Sequence, residues 1–180
     1  MSLTTSRKKW LISSATIFVV ALLFVGGFNF ALEQTNTTEF CTSCHTMKTN
    51  FAELQETVHW KGRTGVHAGC ADCHVPKAFL PKMKAKLFAA KDVWHEMLGT
   101  ISTPEKYEAH RWGMANRVWA KMKATDSREC RSCHDFEHMD LSEQDRTASK
   151  KHDRAMEEGK TCIDCHKGIA HELPDDPDDL

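Results

Sequence analysis

The longest apolar stretch of the chain lies close to its N-terminus. From Trp10 to Leu32 the sequence holds no charged residue, and the run is long enough to cross a bilayer as a helix. A cleaved signal peptide is the alternative, but the apolar part is long for one and no clear small-residue cleavage site precedes Glu33. The pattern therefore predicts an uncleaved membrane anchor over residues 10–32.

Basic residues indicate the orientation of this anchor. Arg7, Lys8 and Lys9 stand directly before the apolar run, and the positive-inside rule places such residues in the cytoplasm. Residues 1–9 are then cytoplasmic and residues 33–180 lie outside, which is the periplasm in a Gram-negative cell. The sequence predicts a single-pass protein of the bacterial inner membrane with most of its chain in the periplasm.

A second apolar pattern has helical spacing. Apolar residues recur at intervals of three and four, as on one face of an α-helix; they are Leu80, Met83, Leu87, Ala90, Trp94, Met97 and Ile101. The lysines of the same segment are Lys77, Lys82, Lys84, Lys86 and Lys91. A lysine-rich amphipathic helix with a Trp suits a membrane surface, where the lysine stems can extend to water. An ordinary core-facing helix with one wet side fits the pattern equally.

Two further helices are predicted downstream. One begins at Thr103, with Pro104 in its first turn, and continues to about Met122. Another covers Ser142 to Gly159, where Ser142 and Asp145 resemble a capping box and Gly159 ends the helix. No convincing alternating strand pattern occurs. The sequence therefore predicts a mainly α protein, with a small helix-and-loop domain after the transmembrane helix.

Length and charge narrow the class of protein. With 180 residues the chain can form one domain of ordinary size beside its anchor. The formal net charge of −1 leaves no basic excess to meet phosphates, which argues against a nucleic-acid binder. The acidic C-terminal tail is expected to be solvated and flexible; it contains Asp175, Asp176, Asp178 and Asp179.

The cysteines carry the strongest chemical signal. All eight fall in four Cys-x-x-Cys-His blocks, which we number in chain order: block 1 is Cys41–His45, block 2 Cys70–His74, block 3 Cys130–His134 and block 4 Cys162–His166. In such a block the two thiols add to the vinyl groups of a haem and the adjacent imidazole reaches the iron. Disulfides or two zinc sites could also use eight cysteines, but neither explains a His after every second Cys.

The attachment interpretation has consequences for folding and location. The cysteines that would hold four haem c groups are Cys41, Cys44, Cys70, Cys73, Cys130, Cys133, Cys162 and Cys165. These haems would supply much of the apolar core, so we expect the protein without haem to be largely unfolded. The blocks suggest two di-haem halves, roughly residues 33–100 and 101–180. Haem attachment of this kind takes place on the outer face of the inner membrane, which agrees with the predicted orientation.

The chain resembles the NapC/NirT family of membrane-anchored tetrahaem quinol dehydrogenases, to which NrfH also belongs. The matching segments are NTTEFCTSCHTM, CADCHVP, EAHR, ECRSCH and TCIDCHKGIAH, together with the single anchor. The agreement is strongest with NapC and NirT. The resemblance implies a protein that takes electrons from menaquinol or ubiquinol in the membrane and passes them to a periplasmic reductase, such as nitrate or nitrite reductase. Assembly into a homo-oligomer is left open.

The haem ligands of blocks 2 to 4 are partly local. The proximal ligands are expected to be His74, His134 and His166. The resemblance implies that the distal ligands are His59, His152 and His171. Which of these serves which haem is left open, although His171 is expected to reach a neighbouring haem rather than that of block 4.

The remaining histidines are expected to have other roles. His110 lies in the EAHR segment and is expected to form hydrogen bonds, whereas His67 and His138 are expected on the surface or in loops. His95 follows Asp92 by about one helical turn and is a weaker candidate for the quinol site. Where several relatives have a His after block 2, this chain has Lys77, which we expect to be a surface or propionate-pairing cation.

Block 1 differs from the others because Met47 follows its His by two positions. In relatives with this pattern the Met supplies the proximal ligand, which implies the same for Met47; ligation by His45 is the alternative. The resemblance places Asp92 on the other side of that haem as the general base for quinol oxidation, with Lys91 as a neighbouring cation. Two further hypotheses are an electron relay without a quinol site and a quinone reductase that works in the reverse direction.

Overall fold

The structure is a computed structural model that describes residues 2–62 and 65–177, with side chains from Thr5 onward. Its helices are α1 (Ser2–Gln34), α2 (Thr38–Thr42), α3 (Met47–Gln55), α4 (Cys70–His74), α5 (Phe79–Met97), α6 (Pro104–Ala124), α7 (Arg128–Arg131), α8 (Arg146–Glu157) and α9 (Cys162–Cys165), with a 3₁₀ turn at Leu141–Glu143. No strand occurs over the described residues, which confirms the mainly α prediction. Of the predicted termini, Met1, Asp178 and Asp179 lie outside the described residues.

Helix α1 is the predicted anchor. It is long and apolar enough to cross a membrane, and its large side chains, including Leu23 and Phe24, face outward along its whole length. A helix that is apolar all round needs an apolar surrounding, which lipid provides. The orientation of α1 across the membrane stays a prediction, as does the division of the remaining chain into two halves.

Helix α5 lies beside the end of α1. The Nζ atom of Lys86 donates to the backbone oxygen and to Oγ1 of Thr35, both at 2.7 Å. Most of the predicted apolar stripe is not covered by other described residues: Leu80 and Leu87, for example, are 76% and 78% exposed, whereas Met83 and Ile101 are partly buried. The exposed positions do not pack against the described protein residues; both roles predicted for this helix, a membrane surface and a core-facing side, stay predictions.

Local side-chain chemistry explains where α6 begins. The Thr103 hydroxyl accepts a hydrogen bond from the Lys106 backbone N–H, and Pro104 occupies the first turn. Both features are typical of helix N-termini, because a hydroxyl satisfies an unpaired N–H and proline has none to satisfy. The prediction of a helix from this point is confirmed.

Helix α8 begins later than predicted. The Asp145 carboxylate accepts from the N–H groups of Thr147 and Ala148, so that the helix starts at Arg146. The expected capping residue, Ser142, lies in the separate 3₁₀ turn, and its hydroxyl donates to Asp140 at 2.6 Å. The predicted start was wrong because the Ser142 hydroxyl is engaged by Asp140, while the Asp145 carboxylate accepts two N–H groups at once.

The buried protein core is small. Among the described residues the buried apolar side chains are Leu54, Pro76, Tyr107 and Ile163. Polar contacts add to this core, since the Tyr107 hydroxyl donates to Asn50 at 2.7 Å and links α6 to α3. A chain of this length normally buries a larger apolar surface, so the fold leaves room for a large apolar group as part of its interior.

Candidate functional site

Each of the four blocks lies in or beside a short helical turn. Block 2 forms α4, block 3 begins within α7 and block 4 begins within α9, while block 1 begins at the end of α2. In a helical turn, residues three apart lie on the same face, so the two thiols of a block can point to one side. The structure contains no disulfide bond between the eight cysteines, which agrees with their use in haem attachment.

Blocks 1 and 2 are in direct contact. A hydrogen bond from the Cys41 thiol to the Cys70 sulfur raises the pKa of Cys41 and lowers the pKa of Cys70 to about 6. Beside them, Gly69 precedes block 2, and a β-carbon there would lie 2.6 Å from Oγ1 of Thr38. A side chain at this position would displace the Thr38 hydroxyl, which bonds the Cys70 sulfur.

Block 2 lies next to block 3, and block 3 lies next to block 4. Burial, with Cys130 nearby, raises the pKa of Cys73 to about 11, and burial, with Cys162 nearby, raises the pKa of Cys130. Between blocks 3 and 4, the fully buried Ser127 accepts a hydrogen bond from the Ile163 backbone N–H at 3.1 Å. The four blocks therefore form a row whose order in space is their order in the chain.

Three histidine pairs accompany this row. His74 faces His171 with ring centres 6.2 Å apart, and His152 faces His166 at 5.8 Å. His59 faces His134 at 6.1 Å. Each pair thus joins one block histidine to one of the three distal candidates.

The spacing within these pairs fits a shared metal ion. Two imidazoles bound to one metal through bonds of about 2 Å have ring centres roughly 6 Å apart. His152 also has the outer contact that such a ligand needs, because its Nδ1 donates to Gln144 Oε1 at 2.6 Å and leaves Nε2 free. Among the described residues there is no cluster of three or more His, Cys, Asp or Glu side chains for a zinc ion. The residues present fit haem iron better than zinc.

A buried ion pair supports His171. The Arg111 guanidinium donates to Glu53 at 2.6 Å and to the Glu172 backbone oxygen at 2.9 Å, and the Glu172 N–H donates back to Glu53 at 3.1 Å. The Glu53 and Arg111 side chains are 10% and 11% exposed. Burial lowers the pKa of His171, although Glu53 opposes the shift, and a neutral imidazole is the form that binds metals.

Block 1 has a different environment. His45 lies in none of the described histidine pairs; its Nδ1 lies 3.2 Å from Oε1 of Glu96 and its Nε2 lies 3.1 Å from the Ser102 backbone oxygen. The other carboxylate oxygen of Glu96 accepts from the Thr46 hydroxyl at 2.7 Å. Met47 begins α3 and is partly buried. Both ring nitrogens of His45 thus already face protein oxygen atoms.

The two candidate catalytic residues lie on α5. Asp92 and Lys91 are both exposed. Asp92 precedes Glu96 by four residues and shares its helix face, which is the face that contacts block 1. Sequence analysis missed Glu96 itself. It gave Lys86 only as one of the lysines of the amphipathic helix, whereas in the structure the ammonium group of Lys86 lies near Cys41.

The other histidines and Lys77 have local surroundings. His110 bonds the Lys106 backbone oxygen at 2.8 Å, as expected for a hydrogen-bonding role. His95 lies 3.1 Å from the Thr100 hydroxyl. His67 and His138 are exposed, as expected, and so is Lys77.

An apolar helix exposed along its length, four attachment blocks in a row and three facing imidazole pairs define the class: a membrane-anchored multihaem c-type cytochrome. Comparison with known families agrees. The profile described as "NapC/NirT cytochrome c family, N-terminal region" matches residues 3–176, and the chain belongs to this family. Its haem c groups are covalently bound.

Several known proteins are similar over most of the chain. A putative tetraheme cytochrome-c type protein of Allochromatium vinosum is 54% identical over 176 residues, covering 98% of this chain and 96% of the relative. The cytochrome c-type protein NapC of Escherichia coli K12 is 53% identical over 159 residues, 88% of this chain and 80% of NapC. The denitrification system component NirT of Stutzerimonas stutzeri is 52% identical over 158 residues, 87% and 79% of the two chains. No solved structure matches.

Proposed function

We propose that this protein is a quinol dehydrogenase that oxidises menaquinol or ubiquinol beside block 1 and passes the electrons to a periplasmic reductase. The observation that carries the proposal is the difference between the blocks. Three block histidines face a second imidazole, whereas His45 is held by Glu96 and block 1 lies beside the end of the membrane helix. Electrons from a membrane substrate would enter where the chain leaves the lipid.

The ligand assignment follows from the pairs. We assign His74 with His171 to the haem of block 2, His134 with His59 to that of block 3, and His166 with His152 to that of block 4, on the basis of their ring spacings. For block 1 we assign Met47, because both nitrogens of His45 have other contacts. When bound, the haems would accept and transfer electrons. Two imidazole ligands on one iron suit electron transfer alone, and a thioether ligand raises the reduction potential of its haem.

Quinol oxidation needs a proton acceptor as well as an electron acceptor. Each quinol loses two electrons and two protons, so a carboxylate beside the electron acceptor can act as the general base. We propose Asp92 for this role, since it is exposed and shares a helix face with Glu96, which contacts block 1. Lys91, next in the chain, would bind a quinone oxygen or keep the carboxylate ionised.

The exposed face of α5 explains how quinol would reach this place. Its apolar stripe, with Leu87 and Trp94 exposed, would lie in the lipid boundary, with lysines along its edges. The contact of Lys86 with Thr35 joins α5 to the end of α1 and supports this position. Quinol could then leave the bilayer close to block 1 without crossing water.

The test of Asp92 is the Asp92→Asn variant of the full-length, haem-loaded protein in proteoliposomes. General-base catalysis contributes about 10²- to 10⁴-fold, so we expect four attached haems and quinol oxidation slowed by at least roughly 100-fold. The matched control is Asp153→Asn: Asp153 is likewise an exposed aspartate but lies on α8, and its substitution should leave the rate unchanged. Normal turnover by Asp92→Asn would remove Asp92 from the mechanism.

A spectrum separates the proposal from the relay hypothesis. In the oxidised protein, a non-reacting quinol analogue should perturb the haem of block 1 and leave the other three unchanged. A relay that receives electrons from another protein predicts no perturbation at any haem.

For the reductase we propose nitrate or nitrite reductase, since the relatives include NapC and a denitrification system component.

A further inference from the structure

We propose that Glu96 is a positioning residue that holds His45 away from the haem iron of block 1, and so leaves that iron to Met47. This inference rests on the proposed ligand assignment. It explains why one Cys-x-x-Cys-His block binds iron differently from the other three. Glu96 acts through His45 and touches neither the substrate nor the iron.

The geometry assigns each nitrogen of His45 to a protein oxygen. Nδ1 lies 3.2 Å from Oε1 of Glu96, and Nε2 lies 3.1 Å from the backbone oxygen of Ser102. A metal ligand must direct the lone pair of one ring nitrogen at the metal. In this arrangement both ring nitrogens are engaged, so either nitrogen could bind iron only by giving up its present oxygen contact.

The carboxylate of Glu96 is itself fixed. Its second oxygen accepts from the Thr46 hydroxyl at 2.7 Å, and Thr46 is buried although His45 is 61% exposed in its side chain. One carboxylate therefore binds two consecutive residues of the block 1 segment. This double contact orients the backbone between His45 and Met47, where Met47 begins α3.

The holding contacts come from distant parts of the chain. Glu96 lies at the C-terminal end of α5, and Ser102 precedes the Thr103 cap of α6. The Cys-x-x-Cys-His motif of block 1 cannot by itself keep its histidine off the iron, because the motif is the same in all four blocks. By contrast His74, His134 and His166 each face an imidazole.

The Glu96→Ala variant of the full-length, haem-loaded protein tests the inference. Without the carboxylate, His45 is free to turn to the iron, and imidazole is a stronger donor than a thioether. We expect the methionine-ligated signature in the visible and magnetic circular dichroism spectra to be replaced by a histidine-ligated one, with a lower potential for that haem. The conservative Glu96→Gln variant keeps an oxygen acceptor and should retain most of the methionine signature.

A double variant shows whether the effect passes through His45. Glu96→Ala combined with His45→Ala should restore the methionine signature, since no imidazole remains to compete. The three bis-histidine signals serve as an internal control for folding and should be unchanged in every variant. Glu157→Ala, an exposed glutamate on α8, should leave all four haems unaltered.

The outcomes distinguish the two proposals. If the unmodified protein has no methionine signature, or if Met47→Leu leaves it unchanged, the ligand assignment is wrong. If the signature is present and depends on Met47 but survives in Glu96→Ala, the assignment stands and the role of Glu96 is overturned. A double variant that fails to restore the signature would also overturn the role of Glu96.

Discussion

Blocks 1 and 2 have the same motif and touch each other, yet their histidines have different partners. His74 of block 2 faces the imidazole of His171. His45 of block 1 faces a carboxylate and a backbone carbonyl. The motif determines where a haem is attached, whereas residues from distant helices determine what the neighbouring histidine can do.

The charges around the two blocks differ in the same way. Behind the His74–His171 pair, Glu53 and Arg111 are buried and neutralise each other. Beside block 1, Asp92 is exposed and Glu96 is partly exposed. A carboxylate open to water can exchange protons, whereas protonating the carboxylate of a buried ion pair would leave its partner as an uncompensated buried charge. The first region suits electron transfer alone, and the second suits chemistry that also moves protons.

The largest expected effect comes from removing a distal imidazole. In His171→Ala, His74 loses its facing ring, so the haem of block 2 should change from low-spin to high-spin while the haem of block 1 is unaffected. Electron paramagnetic resonance of the oxidised protein would show one bis-histidine signal lost. His67→Ala, an exposed ring packed on Trp60, is the control and should change nothing. Three intact low-spin signals in His171→Ala would refute the pairing.

The next effect concerns the ion pair behind block 2. Glu53→Gln leaves the largely buried Arg111 with only the exposed Glu108 as a charge partner, which should cost about 3 kcal/mol in the free energy of unfolding of the haem-loaded protein, the lower end of the range for breaking a buried pair. Denaturant titration followed by haem absorbance measures it. The matched control is Glu56→Gln on the same segment, because Glu56 is 76% exposed and its pair with Lys61 should be worth less than about 1 kcal/mol. Equal losses in the two variants would mean that burial of Glu53 does not matter.

A smaller effect is expected between blocks 3 and 4. Ser127→Ala removes the buried acceptor of the Ile163 N–H, and an unpaired buried donor should cost about 1–3 kcal/mol. The control is Ser132→Ala, whose exposed hydroxyl bonds within its own turn. The same titration measures both variants. If Ser127→Ala lowered the free energy of unfolding by less than Ser132→Ala does, water would be replacing the Ser127 hydroxyl as the acceptor.

Signals within a few residues allowed much of this structure to be predicted. The uninterrupted apolar run gives α1, and Thr103 with Pro104 gives the start of α6. The start of α8 was missed because Ser142 and Asp145 are both possible caps within one segment, and only the folded chain shows that Asp140 engages Ser142 while Asp145 caps the helix.

The same distinction, between local signals and contacts that only the folded chain shows, applies to the site. The attachment cysteines follow from a five-residue motif, and family resemblance supplied His59, His152 and His171 as candidates. The pairings could not be predicted because each joins rings far apart in the chain. Glu96 and Arg111 were missed for the same reason, since their contacts span 50 and 58 residues. The EAHR segment contains Arg111, but nothing local to it indicates Glu53 as its partner.

The contact at Gly69 has a consequence for speed. A β-carbon at this position would meet Oγ1 of Thr38 at 2.6 Å, so either this hydroxyl would rotate away from Cys70 or α2 and α4 would separate. Electron tunnelling slows steeply as the gap between donor and acceptor widens. On the proposed path from block 1 to block 2, the hydrogen atom that glycine carries in place of a methyl group therefore helps to keep this electron transfer fast.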